Sequence, residues 1–374
     1  MSVRLQTTSD SFLFGASVAP TPHVHAMPSC DRNTNDTHRQ RCSRDACHVR
    51  CGCMSDLSLG ALVIHAAVAA GAVIACSAAM LKTVELARRL APLPRALLLV
   101  GESGVGKGLL ARFVHAHSGR HGDFVAVAGG ELSESLLHDQ LVGHEPGAFT
   151  GAARRLRGPF ERAQNGTLFL DELPLWPRAA QSAVLRAVDE GLLTRLGSER
   201  ELRVNCRLIL ASHAPVEQLV AEKRLLPDLR WRIGEFVISL PPLKGRFVDI
   251  AALAYHFLDR AREEFGGRGP IMVEPETLER LLTYPWPGNA RQLRGVVEWG
   301  WTQAAADAVE RIRVGDLPSY VAADDTLRAV VDLDGRRALS RWAFDRAGHS
   351  RRRAAELLGF HPNTIHNHLG AAAR

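Results

Sequence analysis

The residues best suited to chemistry form a glycine-rich run, Gly101-Glu-Ser-Gly-Val-Gly106-Lys107. Apolar residues 96–100 before it predict a short strand, and residues 109–117 after it predict a helix. In that context glycines let backbone N–H groups wrap phosphates, and a lysine reaches their β and γ oxygens. A glycine-rich turn with a solvated lysine is the alternative. We predict a nucleotide-binding loop with these members: Gly101, Glu102, Ser103, Gly104, Val105, Gly106, Lys107 and Gly108.

An acidic pair, Asp171 and Glu172, follows the apolar run over residues 167–170. Asp171 is suited to hold Mg²⁺ through water, and Glu172 to polarise an attacking water. The alternative is an acidic pair that caps a helix after a strand. The residue after the loop lysine often supplies a magnesium-binding hydroxyl, which Gly108 lacks. The two motifs in this order predict ATP and Mg²⁺ as cofactors.

The elements around these motifs alternate between strand and helix, which predicts a parallel α/β sheet. Further buried strands are predicted over residues 124–127, 208–211 and 236–240. Beyond Pro241 and Pro242 the strand pattern stops, and a smaller all-helical unit is predicted. Its predicted helices cover residues 249–262, 275–282 and 290–308, and Asn289 is expected to cap the last one.

Residues 147–152, Gly-Ala-Phe-Thr-Gly-Ala, lie between the glycine-rich loop and the acidic pair. They resemble the signature loop of bacterial enhancer-binding proteins, the AAA+ activators of sigma-54 RNA polymerase. Two glycines allow such a loop to swing, with Phe149 and Thr150 at its tip. The resemblance continues through Leu240-Pro-Pro-Leu243 and Trp286-Pro-Gly-Asn289 and covers about residues 73–318. It implies that sigma-54 is contacted by Gly147, Ala148, Phe149, Thr150, Gly151 and Ala152.

The resemblance also implies an AAA+ parallel-sheet domain with a helical lid, assembled into a ring of identical chains. Arg291 would then contact nucleotide from the lid, and Arg232 would complete the active site of a neighbouring chain. An ordinary surface arginine is the alternative for Arg291. Four positions depart from the family pattern: Leu226 replaces an arginine finger, Ala128 replaces a switch asparagine, and Ser212 and His213 replace a Thr-Asn pair. These departures lower the hydrolysis rate that we expect.

The C-terminal segment 336–374 carries eight arginines against Asp345 and Glu356, a net charge of +6 that equals the excess of the whole chain. A helix over residues 338–346, a second capped by Ser350 and a third begun by Pro362 resemble the Fis-like helix-turn-helix of the same activators. A solvated basic tail is the alternative. The resemblance implies binding to double-stranded enhancer DNA through phosphate contacts by Arg351, Arg352 and Arg353, and base contacts by Asn363, Thr364, His366 and Asn367.

The N-terminal residues 1–56 are polar, show no helix or strand period, and hold five of the seven cysteines. We expect a largely disordered tail; a metal site or a true start at Met54 are alternatives. Residues 57–81 lack Asp, Glu, Lys and Arg, so an alanine-rich helix and a membrane span are both possible from length. The cysteine distribution favours a reducing compartment, and we expect a cytoplasmic protein without a membrane partner.

The expected organisation is a tail (1–56), an alanine-rich linker or helix (57–72), an ATPase core (73–240), a lid (241–318), a linker (319–335) and a helix-turn-helix domain (336–374). The expected function is activation of sigma-54 RNA polymerase, driven by ATP hydrolysis, from enhancer DNA. The alternative is a hydrolysis-poor DNA-binding homologue that acts as a repressor or mixed-ring subunit. A generic AAA+ remodeller is disfavoured by the signature loop.

Overall fold

A computed structural model describes residues 73–129, 137–234, 236–266, 269–323 and 333–370. The predicted tail over residues 1–56 and the alanine-rich segment 57–72 lie outside the described residues. Within the described ranges, no helix is long and apolar enough to cross a membrane.

The first part of the described chain is an α/β unit. Its helices and strands are α1 (Ala78–Leu90), β1 (Leu97–Val100), α2 (Lys107–Ala116), β2 (Phe124–Ala128), α3 (Leu137–Val142), β3 (Gly143–His144), β4 (Leu156–Arg157), α4 (Pro159–Arg162), β5 (Thr167–Asp171), α5 (Arg178–Asp189), β6 (Leu192–Thr194), β7 (Glu201–Arg203), β8 (Arg207–Ser212), α6 (Val216–Ala221), α7 (Pro227–Ile233) and β9 (Val237–Ser239). All five predicted buried strands are present, each within a residue or two of its predicted bounds.

These strands form a parallel sheet in the order β2-β5-β8-β1-β9. Successive side chains of a strand point to opposite faces, so each strand supplies two apolar layers. Leu97 and Leu99 enter the layer under α1 and α2, whereas Leu98 enters the layer under α5. The continuous apolar runs seen in the sequence are therefore strands covered by helices on both faces.

The second part of the chain is largely helical. It contains α8 (Phe247–Glu264), β10 (Met272–Val273), α9 (Pro275–Thr283), α10 (Asn289–Ala306), β11 (Arg311–Ile312) and α11 (Ser319–Ala322). The prediction of an all-helical unit was wrong in one respect, because β10 and β11 pair in parallel. A two-residue strand carries too little pattern to be recognised in a sequence.

Asp249 on α8 joins this helical part to the start of the described chain. Its fully buried carboxylate accepts hydrogen bonds from the backbone N–H of Cys76 (2.6 Å) and Ser77 (2.9 Å). Arg246 Nε donates to the same carboxylate at 2.7 Å, so the buried charge is paired. Burial first and Asp249 second raise the pKa of the Cys76 thiol to about 12.

Three C-terminal helices follow, α12 (Leu333–Arg346), α13 (Arg351–Leu358) and α14 (Pro362–Leu369). Ser350 caps α13 by accepting from the N–H of Arg353, as predicted, and Pro362 occupies the first turn of α14. Gly359 ends α13 in the left-handed region at φ +67°, and residues 359–361 form the turn into α14.

The C-terminal helices pack against α8 and share its core. Tyr255 is fully buried, and its ring lies 5.5 Å from that of Trp342 between centroids. The Arg346 guanidinium lies 4.7 Å above the Tyr255 ring and is 2.9 Å from the Asp259 carboxylate. An aromatic pair flanked by a cation–π contact and an ion pair is a specific interface rather than a loose tether.

Candidate nucleotide site and loop surface

The glycine-rich loop and the acidic pair lie at the carboxyl ends of β1 and β5, on the same edge of the sheet. β8 lies between β1 and β5 in the sheet, so the loop after β1 and the acidic pair after β5 flank Ser212 at the end of β8. The Gly101 N–H donates to the Ser212 carbonyl at 3.1 Å and fixes the start of the loop. In an open parallel sheet this edge is where ligands bind.

The loop itself has the backbone shape that its glycines predict. Gly104 and Gly106 adopt φ of +75° and +108°, which side-chain-bearing residues rarely reach. A Cβ at Gly104 would lie 2.3 Å from the Gly288 carbonyl oxygen of the helical part, so no larger residue fits this contact. A Cβ at Gly108 would meet only the Phe169 ring at 3.8 Å.

Lys107 is largely buried and points back into the loop. Its Nζ donates to the carbonyl oxygens of Gly101 (2.7 Å) and Glu102 (3.1 Å). Burial lowers the pKa of Lys107, with a smaller contribution from Arg291, whereas Asp171 and Glu172 oppose that shift. The Lys107 ammonium group therefore lies near Asp171, Glu172 and Arg291, the other residues predicted to form the site. A wrapped backbone with one partly desolvated cation fits a nucleotide phosphate chain.

The acidic pair has a constrained geometry at the end of β5. Glu172 adopts φ +55° and ψ +47°, an unusual backbone for a residue with a side chain, and its N–H donates to Asp171 Oδ1 at 2.9 Å. Trp176 Nε1 donates to the Asp171 carbonyl at 2.8 Å and fixes this turn. Such strain persists where the surroundings enforce it, which is common at catalytic positions. A single half-buried carboxylate at Asp171 also suits Mg²⁺, which usually binds one or two carboxylates plus phosphate oxygens.

Asn289 connects the helical part to the loop. It is fully buried; its Nδ2 donates to Glu102 Oε2 (2.9 Å) and to the Ser103 carbonyl (3.0 Å), and its Oδ1 accepts from the Leu243 N–H (2.7 Å). The prediction of an N-cap was wrong, because Gly288 is the N-cap and Asn289 is the first helical residue at φ +50°. Its side chain is committed to these three longer-range partners.

Arg291 lies on the first turn of α10, as predicted, and is exposed at the rim of the loop. Its Nη1 donates to Ser103 Oγ at 3.3 Å. The helical part therefore contributes both an amide and a guanidinium to the loop.

Arg232, the predicted arginine finger, belongs to α7. Arg232 on α7 is more than half exposed and forms an ion pair with Asp189 at 2.8 Å. Leu226, where a second finger was expected, is partly buried against the α5 layer, and its N–H donates to Gln181 Oε1 at 2.9 Å. Arg230 donates to the Gly234 carbonyl at 3.0 Å and lies 3.3 Å from Glu217. Arg224 is exposed, 3.5 Å from Glu222.

The signature loop protrudes between β3 and β4. Gly147 and Gly151 have φ of +82° and +103°, and the Gly147 N–H donates to the Ala152 carbonyl at 2.8 Å, which closes the loop. Phe149 is 37% exposed and Thr150 is exposed, so both tip residues are at least partly accessible to solvent. Ala152 is buried and Ala148 half-buried, which makes them the base of the loop rather than its contact surface.

A buried ion cluster supports the base of this loop. Arg195 is 6% exposed; its Nη1 donates to Glu145 Oε1, and its Nη2 lies 2.8 Å from Glu161 Oε2. Burial opposes ionisation of Glu161, but the Arg195 hydrogen bond and neighbouring arginines outweigh it and lower the Glu161 pKa. The β6–β7 hairpin also reaches the loop, since a Cβ at Gly197 would lie 2.7 Å from the Ala148 Cβ.

The predicted DNA-contacting residues belong to α13 and α14. The exposed members are Arg352, Arg353, Asn363, His366 and Asn367, whereas Arg351 and Thr364 are half-buried. Ile365 and Leu369 of α14 are buried.

Several residues that shape these surfaces were missed from the sequence. Asn289 was predicted to be a helix cap, which is wrong, and Asp139 and Arg195 were not predicted to have a role. Asn289 and Glu102 are 187 positions apart, so no local spacing reveals their contact. Trp176, five residues after Asp171, had a signal that could be read, because a buried indole N–H needs an acceptor nearby.

These features define a P-loop ATPase fold of the AAA+ type: a parallel sheet with a phosphate-binding loop, an acidic strand end and a helical lid. Residues 73–239 match the sigma-54 interaction domain, and residues 244–330 match the AAA+ ATPase lid domain.

Known proteins are similar to this chain in sequence and in structure. The chain is 43% identical over 220 residues to the Psp operon transcriptional activator of Escherichia coli, covering 58% of this chain and 67% of that protein. It is 36% identical over 286 residues to the transcriptional regulatory protein ZraR of Klebsiella oxytoca, covering 74% and 63% respectively. The crystal structure of NtrX from Brucella abortus in complex with ATP superposes with a TM-score of 0.62 at 27% identity, covering 79% of this chain and 68% of NtrX.

The chain therefore belongs to the family of sigma-54-dependent transcriptional activators. It spans 57% of SfnR from Pseudomonas putida and 63% of ZraR, so much of each relative has no counterpart in the match.

Proposed function

We propose that this protein hydrolyses ATP to activate transcription by sigma-54 RNA polymerase while bound to enhancer DNA, and that it acts in the cytoplasm. The observation that carries the proposal is that Asp171, Glu172 and Arg291 lie close enough to Lys107 for their charges to shift its pKa, in a chain whose signature loop leaves Phe149 partly exposed.

In the proposed site, loop N–H groups and Lys107 hold the ATP phosphates, and Arg291 senses them from the lid. When bound, Mg²⁺ supplies positive charge to the phosphate oxygens, and Asp171 is the residue that would hold it. Glu172 orients the attacking water and accepts its proton. Asn289 holds the start of α10 against the nucleotide-binding loop, so that the position of the lid depends on whether nucleotide occupies that loop.

Several copies of the chain form a ring in this proposal, and Arg232 serves the site of a neighbouring copy. Its ion pair with Asp189 joins two groups that are 55% and 38% exposed, and such pairs contribute about 0–1 kcal/mol. Release of Arg232 toward a neighbour's phosphates therefore costs little.

The proposed sigma-54 contact uses the tip of the loop, Phe149 and Thr150, while residues 147, 148, 151 and 152 form its hinge and base. The proposed DNA contact uses the exposed face of α13 and α14. Replacement of Arg352 or Arg353 by alanine should reduce the slope of log affinity against log salt by about 1 each, with little change in sequence preference. A mobility-shift titration across salt concentrations measures this.

A second candidate is a DNA-binding homologue with little hydrolysis. It is favoured by Leu226, a partly buried apolar side chain at a predicted finger position, and by the engagement of Arg230 within its own chain. An arginine finger is worth roughly 10³–10⁵ in rate, so its loss matters.

Steady-state ATPase assays of the assembled protein test the first proposal against the second. The activator is supported if hydrolysis requires Lys107 and if the turnover rate per chain rises with protein concentration. ATP binding with no turnover at any protein concentration supports the hydrolysis-poor homologue. ATP affinity unchanged by Lys107→Ala would refute the nucleotide site itself.

A further inference from the structure

A buried histidine–aspartate pair lies directly beneath the signature loop. Asp139 is on α3, and His144 is in β3, immediately before the loop. His144 Nδ1 lies 2.6 Å from Asp139 Oδ1, and the two side chains are only 11% and 8% exposed. A buried imidazole bonded on one nitrogen has a fixed ring plane, so this ring is a rigid part of the protein body.

The His144 ring contacts the aromatic ring at the tip of the loop. The rings of His144 and Phe149 are 5.0 Å apart between centroids at an interplanar angle of 74°. This edge-to-face arrangement is a favourable geometry for two aromatic rings. Phe149 nevertheless remains 37% exposed, so the contact covers only part of its ring.

The base of the loop is fixed by other means. The Glu145 N–H donates to the Leu196 carbonyl and the Leu196 N–H to the Gly143 carbonyl, both at 3.0 Å. Gly147 and Gly151 have φ of +82° and +103°, and glycine at both positions permits the segment between them to change conformation. The position of the tip therefore depends on what holds Phe149.

We propose that His144, oriented by Asp139, is a positioning residue that holds Phe149 in a retracted resting position. We call the His144 ring the Phe149 seat. The inference rests on the proposed role of Phe149 in contacting sigma-54. Occupancy of the seat limits how much of the ring a partner can reach, and nucleotide-driven loop movement has to lift Phe149 off it.

His144→Gln tests the seat most cleanly. A glutamine side chain still carries an amide N–H group on the side of Asp139 but lacks the aromatic ring that contacts Phe149. His117→Gln is the matched control, because His117 also uses Nδ1 in a hydrogen bond, to the Phe113 carbonyl at 2.8 Å, and contacts the Phe113 ring. It lies at the end of α2, away from the loop.

The first measurement is amide hydrogen exchange of the full chain without nucleotide. We expect exchange of residues 147–152 to be about fivefold faster in His144→Gln, with exchange in β5 unchanged, and no loop effect of His117→Gln. Unchanged loop exchange in His144→Gln would overturn the proposal. This measurement needs no partner, so it reports on the seat even if the proposed function fails.

The second measurement is binding of purified sigma-54 with and without a non-hydrolysable ATP analogue. We expect His144→Gln to bind about fivefold more tightly without nucleotide, so that the gain from adding the analogue shrinks by the same factor. Weaker nucleotide-free binding would mean that the seat presents Phe149 rather than retracts it, which contradicts the proposal. If wild-type protein binds no sigma-54 in either state, the proposed function fails and the exchange result alone decides the seat.

Discussion

Replacing Asn289 with alanine is expected to loosen the joint between the lid and the nucleotide loop. The substitution removes the Nδ2 bonds to Glu102 and Ser103 and the Oδ1 bond to the Leu243 N–H. The Leu243 bond is buried, and an unpaired buried N–H costs about 1–3 kcal/mol. Glu102 and Ser103 are exposed, so water replaces those two partners at about 0.5 kcal/mol each.

The backbone adds a second contribution to the cost. Asn289 has φ +50°, where alanine is disfavoured by about 1–2 kcal/mol and glycine is not. We therefore expect Asn289→Ala to lower the free energy of unfolding by about 3–6 kcal/mol and Asn289→Gly by about 2–4 kcal/mol. The difference between the two variants isolates the backbone contribution.

Guanidinium unfolding followed by tryptophan fluorescence measures these changes, and amide exchange at residue 243 locates them. Asn289→Ser tests whether Asn289 stabilises the protein through its three hydrogen bonds or as a helix cap. Serine is a good cap, but its side chain is too short to reach all three partners. Wild-type stability in Asn289→Ser would refute the joint. So would a cost below about 1 kcal/mol in both the glycine and alanine variants.

Three further outcomes follow from the same structure. Glu172→Gln should retain ATP binding, measured with a fluorescent nucleotide, but lose hydrolysis, because an amide cannot accept the proton from water; turnover equal to wild type would remove Glu172 from that role. Leu226→Arg should raise hydrolysis at least several-fold in the assembled protein, whereas Arg232→Ala should nearly abolish it; no effect of either change would contradict the arrangement in which a neighbouring chain completes the site. Tyr255→Ala should lower the free energy of unfolding by about 3–5 kcal/mol, because it removes a fully buried ring against Trp342, and should speed amide exchange in α12–α14; unchanged exchange there would show that the C-terminal helices do not depend on the lid.

Much of the fold could be predicted because its signals are local. β1, β5 and β8 are short apolar runs next to turn residues, and the loop at Gly101–Lys107 is contiguous in sequence. The C-terminal helices were also predictable, since Ser350, Gly359 and Pro362 mark helix ends through their own backbone preferences.

The remaining features depend on contacts between distant residues. Asn289 resembles a cap by position, yet its partners come from a loop 187 residues earlier. The β10–β11 pair is too short to show a period. The Asp139–His144 pair spans a helix–strand junction, where neither a helical nor a strand spacing applies.

The most direct test of the central claim is promoter melting on a sigma-54 closed complex, read by permanganate reactivity of unpaired thymines. We predict melting that requires both this protein and hydrolysable ATP, and that is lost when Glu172→Gln protein replaces wild type. Melting that proceeds equally with Glu172→Gln, or no melting by a wild-type protein that hydrolyses ATP and binds the enhancer, would contradict it.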